Sequence, residues 1–170
     1  MAGDQPQHPL YVGRVDAFAA KSLEQRIQEL ADREEIRELI ATYAHRMAHG
    51  PAASDLFTDD GVYVNRGMND TPPSEVRGRE ALDRHYCDRT GWAERPMPMI
   101  HNHILEVAGD EARGICSVEI RLGARGESII ASGYYQDRFR RENGRWLFAE
   151  RDIALFHWVP IQQGWAKPVE

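Results

Sequence analysis

Met97-Pro-Met-Ile-His-Asn-His-Ile-Leu-Glu-Val107 opens the half of the chain whose reading decides the fold. Three more extended runs follow it, over 114–122, 128–141 and 146–155. Between them lie turn signals: Ala108-Gly109-Asp110-Glu111, Ala124-Arg125-Gly126-Glu127, and Glu142-Asn143-Gly144-Arg145, whose Asn-Gly is a strong hairpin signature. Four antiparallel strands in a row are expected. Within the first, a period of two places His101, His103, Leu105 and Val107 on one face and Ile100, Asn102, Ile104 and Glu106 on the other. Two imidazoles then share a face with apolar side chains, where a small cavity would put them to work.

Upstream of these strands the pattern is helical. Ser22 followed by Gln25 makes a capping box, and Asp32 followed by Glu35 repeats it, so the segment reads as one long helix or as two with a kink near Ala31. Ile36, Leu39, Ile40, Tyr43 and Met47 fall on one stripe at helical spacing. His49-Gly50-Pro51 ends the run, with a capping role for His49 beside the helix dipole. His45 lies on the side of the helix away from Tyr43. Residues 52–57 suit a short helix, Asp59-Asp60-Gly61 a turn, Val62-Tyr63-Val64 a strand, and 65–77 a loop. A helix follows from Gly78, with Leu82 and Tyr86 on its apolar side and His85 toward solvent. Residues 90–98 read as a loop leading into the histidine strand. Helices first and strands second give an α+β order, with helices packed on one face of a curved sheet.

A chain of 170 residues makes one domain, burying roughly 70% of its unfolded surface. We divide it into an N-terminal extension (1–21), in which Leu10, Tyr11 and Phe18 dock on a neighbour, a core (22–157), and an aromatic tail (158–170) carrying Trp158 and Trp165. A net charge of −6 excludes a nucleic-acid surface and an anionic membrane surface, both of which need clustered Lys and Arg. No apolar run is long enough to span a bilayer and no charged-then-apolar leader opens the chain. Cys87 and Cys116 are too few and too far apart for a disulfide framework and read as reduced thiols, which points to the cytoplasm.

The candidate site residues follow from these faces. Tyr43 sits on the apolar stripe, and its hydroxyl needs a partner when buried. Tyr135, Asp137 and Phe139 alternate onto one face of their strand, and Glu119 and Arg121 share a face of theirs. Asp137 either serves a histidine or forms an ion pair with Arg138, Arg151 or a helix residue. The spacing His101-x-His103 occurs in metal sites, a carboxylate completing the set, but two residues make a short pattern and no metal is expected. Phosphate loops, dinucleotide fingerprints and nucleophile motifs are missing from the sequence.

Asp32-Arg-Glu-Glu-Ile-Arg-Glu-Leu-Ile-Ala-Thr-Tyr43, Leu56-Phe-Thr-Asp-Asp-Gly-Val-Tyr63, Gly78-Arg-Glu-Ala-Leu82, Glu106-Val-Ala-Gly-Asp-Glu-Ala-Arg-Gly114 and Gly133-Tyr-Tyr-Gln-Asp-Arg-Phe-Arg-Arg-Glu-Asn-Gly-Arg-Trp-Leu-Phe148 occur in this order. Together, over about residues 23–155, they resemble the SnoaL-like branch of the nuclear-transport-factor-2-like superfamily. The resemblance implies a cone: a curved antiparallel or mixed sheet wrapped around a long N-terminal helix, enclosing a mostly apolar pocket. That group includes scytalone dehydratase, bile-acid 7α-dehydratase, a hexachlorocyclohexane dehydrochlorinase, polyketide cyclases, ketosteroid isomerase and non-catalytic binders, so fold does not fix function.

Carried over residue by residue, the resemblance implies a base on the first long strand, His101 or, one step further in, His103. It also implies a pocket tyrosine at Tyr43. Beside these, Met47, Tyr135, Asp137 and Trp158 are the residues expected to line the substrate. The helix aspartate that orients the histidine in such relatives falls on Ala48. The expected function is a cofactor-free lyase or isomerase, of dehydratase type, for a small hydrophobic oxygenated substrate. The alternative is a non-catalytic small-molecule-binding or assembly protein with the same pocket, and the missing aspartate favours it. A homodimer or homotrimer is expected, formed through the outer sheet face and the aromatic tail.

Overall fold

Ser22 and Gln25 close the start of the first helix reciprocally. The Ser22 amide donates to Gln25 Oε1 at 3.0 Å and the Gln25 amide donates to Ser22 Oγ at 3.2 Å. From this box one uninterrupted helix, α1, runs over Leu23–His49, about 40 Å at 1.5 Å per residue. Asp32 does not cap a second helix. It is buried, accepts a hydrogen bond from Gln28 at 3.0 Å and pairs with Arg141 at 2.5 Å. Ile36, Leu39, Ile40 and Tyr43 are buried along the predicted stripe, with Met47 packed at its end.

The computed structural model describes residues 21–49, 52–68, 72–87, 94–124 and 126–164. The expected docking of Leu10, Tyr11 and Phe18, the Gly50-Pro51 stop and Trp165 lie outside these residues. After α1 come a short 3₁₀ turn (Ser54–Leu56), β1 (Phe57–Asn65), β2 (Ser74–Arg77), α2 (Arg79–Cys87), and then β3 (Glu94–Ala108), β4 (Glu111–Ala124), β5 (Glu127–Glu142) and β6 (Arg145–Pro160). The six strands form one mixed sheet in the order β2-β1-β6-β5-β4-β3, with β1 parallel to β6 and every other neighbour antiparallel. Two helices on a curved, unclosed sheet make the cone-shaped α+β architecture expected.

Asn143 (φ 50°) and Gly144 (φ 76°) form the two-residue turn joining β5 to β6, as a hairpin with both central residues left-handed requires. Two expectations are corrected. Asp59-Asp60-Gly61 is not a free turn but a bulge inside β1, where the chain takes five steps from Phe57 to Val62 while β6 takes only two, from Phe148 to Glu150. A Cβ on Gly61 would lie 2.8 Å from Phe57 Cβ and 2.9 Å from Thr58 O, so only glycine lets the chain fold back here. The region taken as loop also contains β2, paired to β1 from Ser74 to Arg77. In addition β6 continues to Pro160, so Trp158 belongs to the sheet and not to a separate tail.

Candidate active site in the α1–β3 cleft

Directly opposed residues of an antiparallel pair share a face, so the register fixes which side chains look into the cone. Leu105 opposes Gly114, which opposes Asp137, which opposes Arg151. Val107, Ala112, Phe139 and Phe148 form the next inner row, and Cys116, Tyr135 and Ile153 belong to the same face. Nearer the other end, Pro98, Ile120, Ala131 and Trp158 make one row, and Ile100, Val118, Gly133 and Leu155 its neighbour.

The even positions Pro98 and Ile100 and the odd positions Leu105 and Val107 thus share the inner face, and something between them must change parity. Asn102 does so. From His101 to Ile104 β3 takes three steps while β4 takes two, from Ser117 to Ile115, and Asn102 adopts φ 56°. The extra residue is a bulge. His101 therefore lies opposite Ser117 on the outer face and is exposed, whereas His103 turns inward and is half-buried. The expectation that the two histidines share a face is overturned, and with it their use as a metal pair. Among the described residues no group of three or more His, Cys, Asp or Glu is placed to hold a metal.

The inner face carries a buried charge. Arg151 is fully buried, with its guanidinium 3.7 Å from the Tyr135 ring centroid, 4.2 Å from that of Tyr43 and 4.6 Å from that of Phe148. Its nearest carboxylate is Asp137, with Arg151 Nη1 to Asp137 Oδ2 at 3.4 Å. That is an ion pair and not a hydrogen bond, and both Asp137 oxygens and all three Arg151 nitrogens have no hydrogen-bond partner. Burial pushes the Asp137 carboxyl up to about 7 against the opposing pull of Arg151. Burial alone would lower the guanidinium, but Asp137 and the Tyr135 and Tyr43 hydroxyls hold it above its ordinary value, so it stays charged. Tyr43, 1% exposed, receives a long hydrogen bond of 3.4 Å from the Tyr86 hydroxyl, and burial raises its phenol against the opposing pull of Arg151 and of that bond. Cys116, beside them, has its thiol pushed up to about 12 by burial, which leaves it inert.

Between α1 and β3 opens a cleft of about 340 Å³, walled by Ile40, Ala44 and Ala48 on the helix and Met97 to Ile100 on the strand, with Arg37, His45 and His103 as its polar lining. His103 Nε2 is buried without a hydrogen-bond partner. Burial first, and then the charges of Arg37, Arg151 and His101, lower its pKa, so the ring is neutral at pH 7 and offers a lone pair. Among the described residues neither His101 nor His103 is bonded to a carboxylate, and Ala48 lines the cleft where an orienting aspartate is expected.

The structure gathers Tyr43, Tyr135 and Asp137 around Arg151, while His103 alone of the expected site residues lines the cleft, and it puts Trp158 half-buried on the inner row shared with Pro98. It places Met47 half-buried at the edge of the core and His101 outside. Sequence reading treated Arg151 only as one of several partners for Asp137, and Arg37 and His45 only as polar positions of α1. The hairpin alone would not have paired them: counted out from Asn143-Gly144, an unbroken register sets Glu150 opposite Asp137, and only a β-bulge between Arg138 and Phe139 brings Arg151 there.

The SnoaL-like domain model matches residues 28–152. Similar solved structures include a hexachlorocyclohexane dehydrochlorinase, LinA-type3, from Novosphingobium barchaimii (19% identity, 84% of this chain and 99% of that one, TM-score 0.69). A nuclear-transport-factor-2-like protein with a cystatin-like fold from Novosphingobium aromaticivorans is 26% identical over 84% of this chain and 92% of its own, with TM-score 0.63. A Mycobacterium tuberculosis protein of unknown function is 27% identical over 75% of this chain and 73% of its own, with TM-score 0.61. Among curated proteins nothing matches significantly.

Proposed function

The chain belongs to the SnoaL-like domain family, and from that premise we propose that it is a cofactor-free lyase or isomerase acting on a small, apolar, oxygenated substrate. The observation that carries this reading is His103: a neutral imidazole on the inner face, its Nε2 buried and unbonded, at the wall of a cleft backed by a fixed cation. A substrate in the cleft would present an acidic C–H to Nε2. As the proton moves to His103, negative charge grows on the neighbouring oxygen, and Arg37 in the cleft lining, with the field of the buried Arg151 behind it, favours that charge. The same cations disfavour the imidazolium, so proton transfer is easiest when the oxyanion forms in the same step. Collapse of the oxyanion then expels a leaving group or returns the proton elsewhere. The Tyr43 and Tyr135 rings both lie against the Arg151 guanidinium, and His101, on the opposite face, has no part. Such acid–base work lowers a barrier by about 3–6 kcal/mol.

The test is a screen of steroid, terpenoid, hydroxyaromatic and polyketide-like ketones by thermal shift, with the hits followed in D₂O by NMR for deuterium uptake or elimination. His103→Gln is expected to slow either process at least 100-fold while leaving binding within a few-fold. Uptake at the wild-type rate in that variant would remove His103 as the base. A second reading, a binding protein without turnover, is supported by one observation, the missing carboxylate behind His103. Hits that bind but never exchange or eliminate would establish it.

A further inference from the structure

The α1–β3 cleft contains no carboxylate among its lining residues, in a chain with 27 acidic and 21 basic side chains. Its polar lining consists of Arg37 and His45 on the helix and His103 on the strand, and everything else is apolar. We propose that the ligand of this cleft is an apolar monocarboxylate, an aryl- or alkyl-carboxylic acid, whose carboxylate is held by Arg37 at the rim while its body lies on Met97, Met99 and Ile100.

The charges around Arg37 permit this. Among the described residues its one ion pair is with Glu34, at 3.3 Å through a single Nη1, and both side chains reach solvent, at 42% and 75% exposure. Exposed pairs of that kind contribute little, so the remaining guanidinium donors can meet a carboxylate side-on, the geometry that two parallel N–H donors favour. The charges that act on His103, in the same cleft, are those of Arg37, Arg151 and His101, and none of them is negative. On the apolar side, the small side chains of Ala44 and Ala48 leave room opposite the methionines for a ring or a short chain, with His45 as the polar group of that wall.

This inference rests on the cleft being the small-molecule site of the proposed function, but not on turnover. The full chain is titrated calorimetrically with 4-phenylbutyrate and 1-naphthoate and with their neutral amides, at low and at high salt. Wild type, Arg37→Gln and Arg77→Gln are compared, the last removing the same charge from a surface arginine paired with Glu75. The acids are expected to bind at least tenfold more tightly than the amides, with that preference falling at high salt, lost in Arg37→Gln and kept in Arg77→Gln. Equal binding of acid and amide, equal behaviour of the two arginine variants, or no binding of either acid overturns the proposal. Ketones that exchange deuterium while the acids fail would leave the lyase reading standing and remove only the carboxylate. Acids that bind while no candidate exchanges would do the reverse.

Discussion

Asp137 and Arg151 lie in one inner row and are fully removed from water, yet they do not hydrogen-bond one another. Taking two charges into a low-dielectric interior costs more than a 3.4 Å contact restores, and the carboxyl carries the strain, its pKa raised to about 7. The sign follows. A carboxyl that ionises near 3.8 unfolded and near 7 folded holds its proton more tightly in the native state across that interval. Stability from this group is therefore complete below about pH 4 and is lost as pH rises through 7, by about 4 kcal/mol. Asp137→Asn cannot titrate. Urea unfolding at pH 5 and pH 7.5 should show the wild type losing stability relative to the variant between the two, and parallel values would show that Asp137 ionises normally. Reading sequence at this scale found the pair as one option among several. It could not find the aromatic sandwich, because Tyr43, Tyr135 and Phe148 come from three separate elements.

Among the elements, β3 decides the chemistry. A period of two assumes an unbroken ladder, and a single extra residue reverses every face beyond it. Asn102 is that residue, held at φ 56°, where asparagine is tolerated and a β-branched side chain is not. Asn102→Gly should be nearly neutral in denaturant unfolding, whereas Asn102→Val should cost about 1–3 kcal/mol. If Val is as stable as Gly, the left-handed bulge is not held in solution. Elsewhere the sequence was more transparent. The Ser22–Gln25 box, the α1 stripe, α2 with Leu82 and Tyr86 inward, and the Asn143-Gly144 hairpin were all readable because local chemistry alone determines them. The bulge in β1 was not, since Asp59-Asp60-Gly61 has the composition of a turn and only the parallel pairing with β6 makes it part of a strand.

For the whole molecule, curvature does what no single element can: it gives the sheet an inner face deep enough to bury a guanidinium and an outer face that stays in water. That outer face is not uniformly polar. Phe156, 55% exposed, sits at a second bulge in β6 and packs its ring on Tyr134 at 5.4 Å, and Ile104 on β3 is 47% exposed. A contiguous apolar patch on a sheet face marks an association surface, and we propose that the Phe156–Tyr134 stack belongs to one. The outer strands β3 to β6 are therefore expected to join two or three copies of the chain, in line with the homo-oligomer anticipated from sequence. Light scattering coupled to size exclusion should give a mass at two or three times 19.4 kDa. Phe156→Glu should return it to one, because a charge at the centre of such a contact must be desolvated without a partner. A monomeric wild type at micromolar concentration would instead leave the outer face as an ordinary surface, and the cone would then work alone. The inner row from Leu105 to Arg151 is formed entirely within one chain, so the variant monomer should still bind the cleft ligand with unchanged affinity.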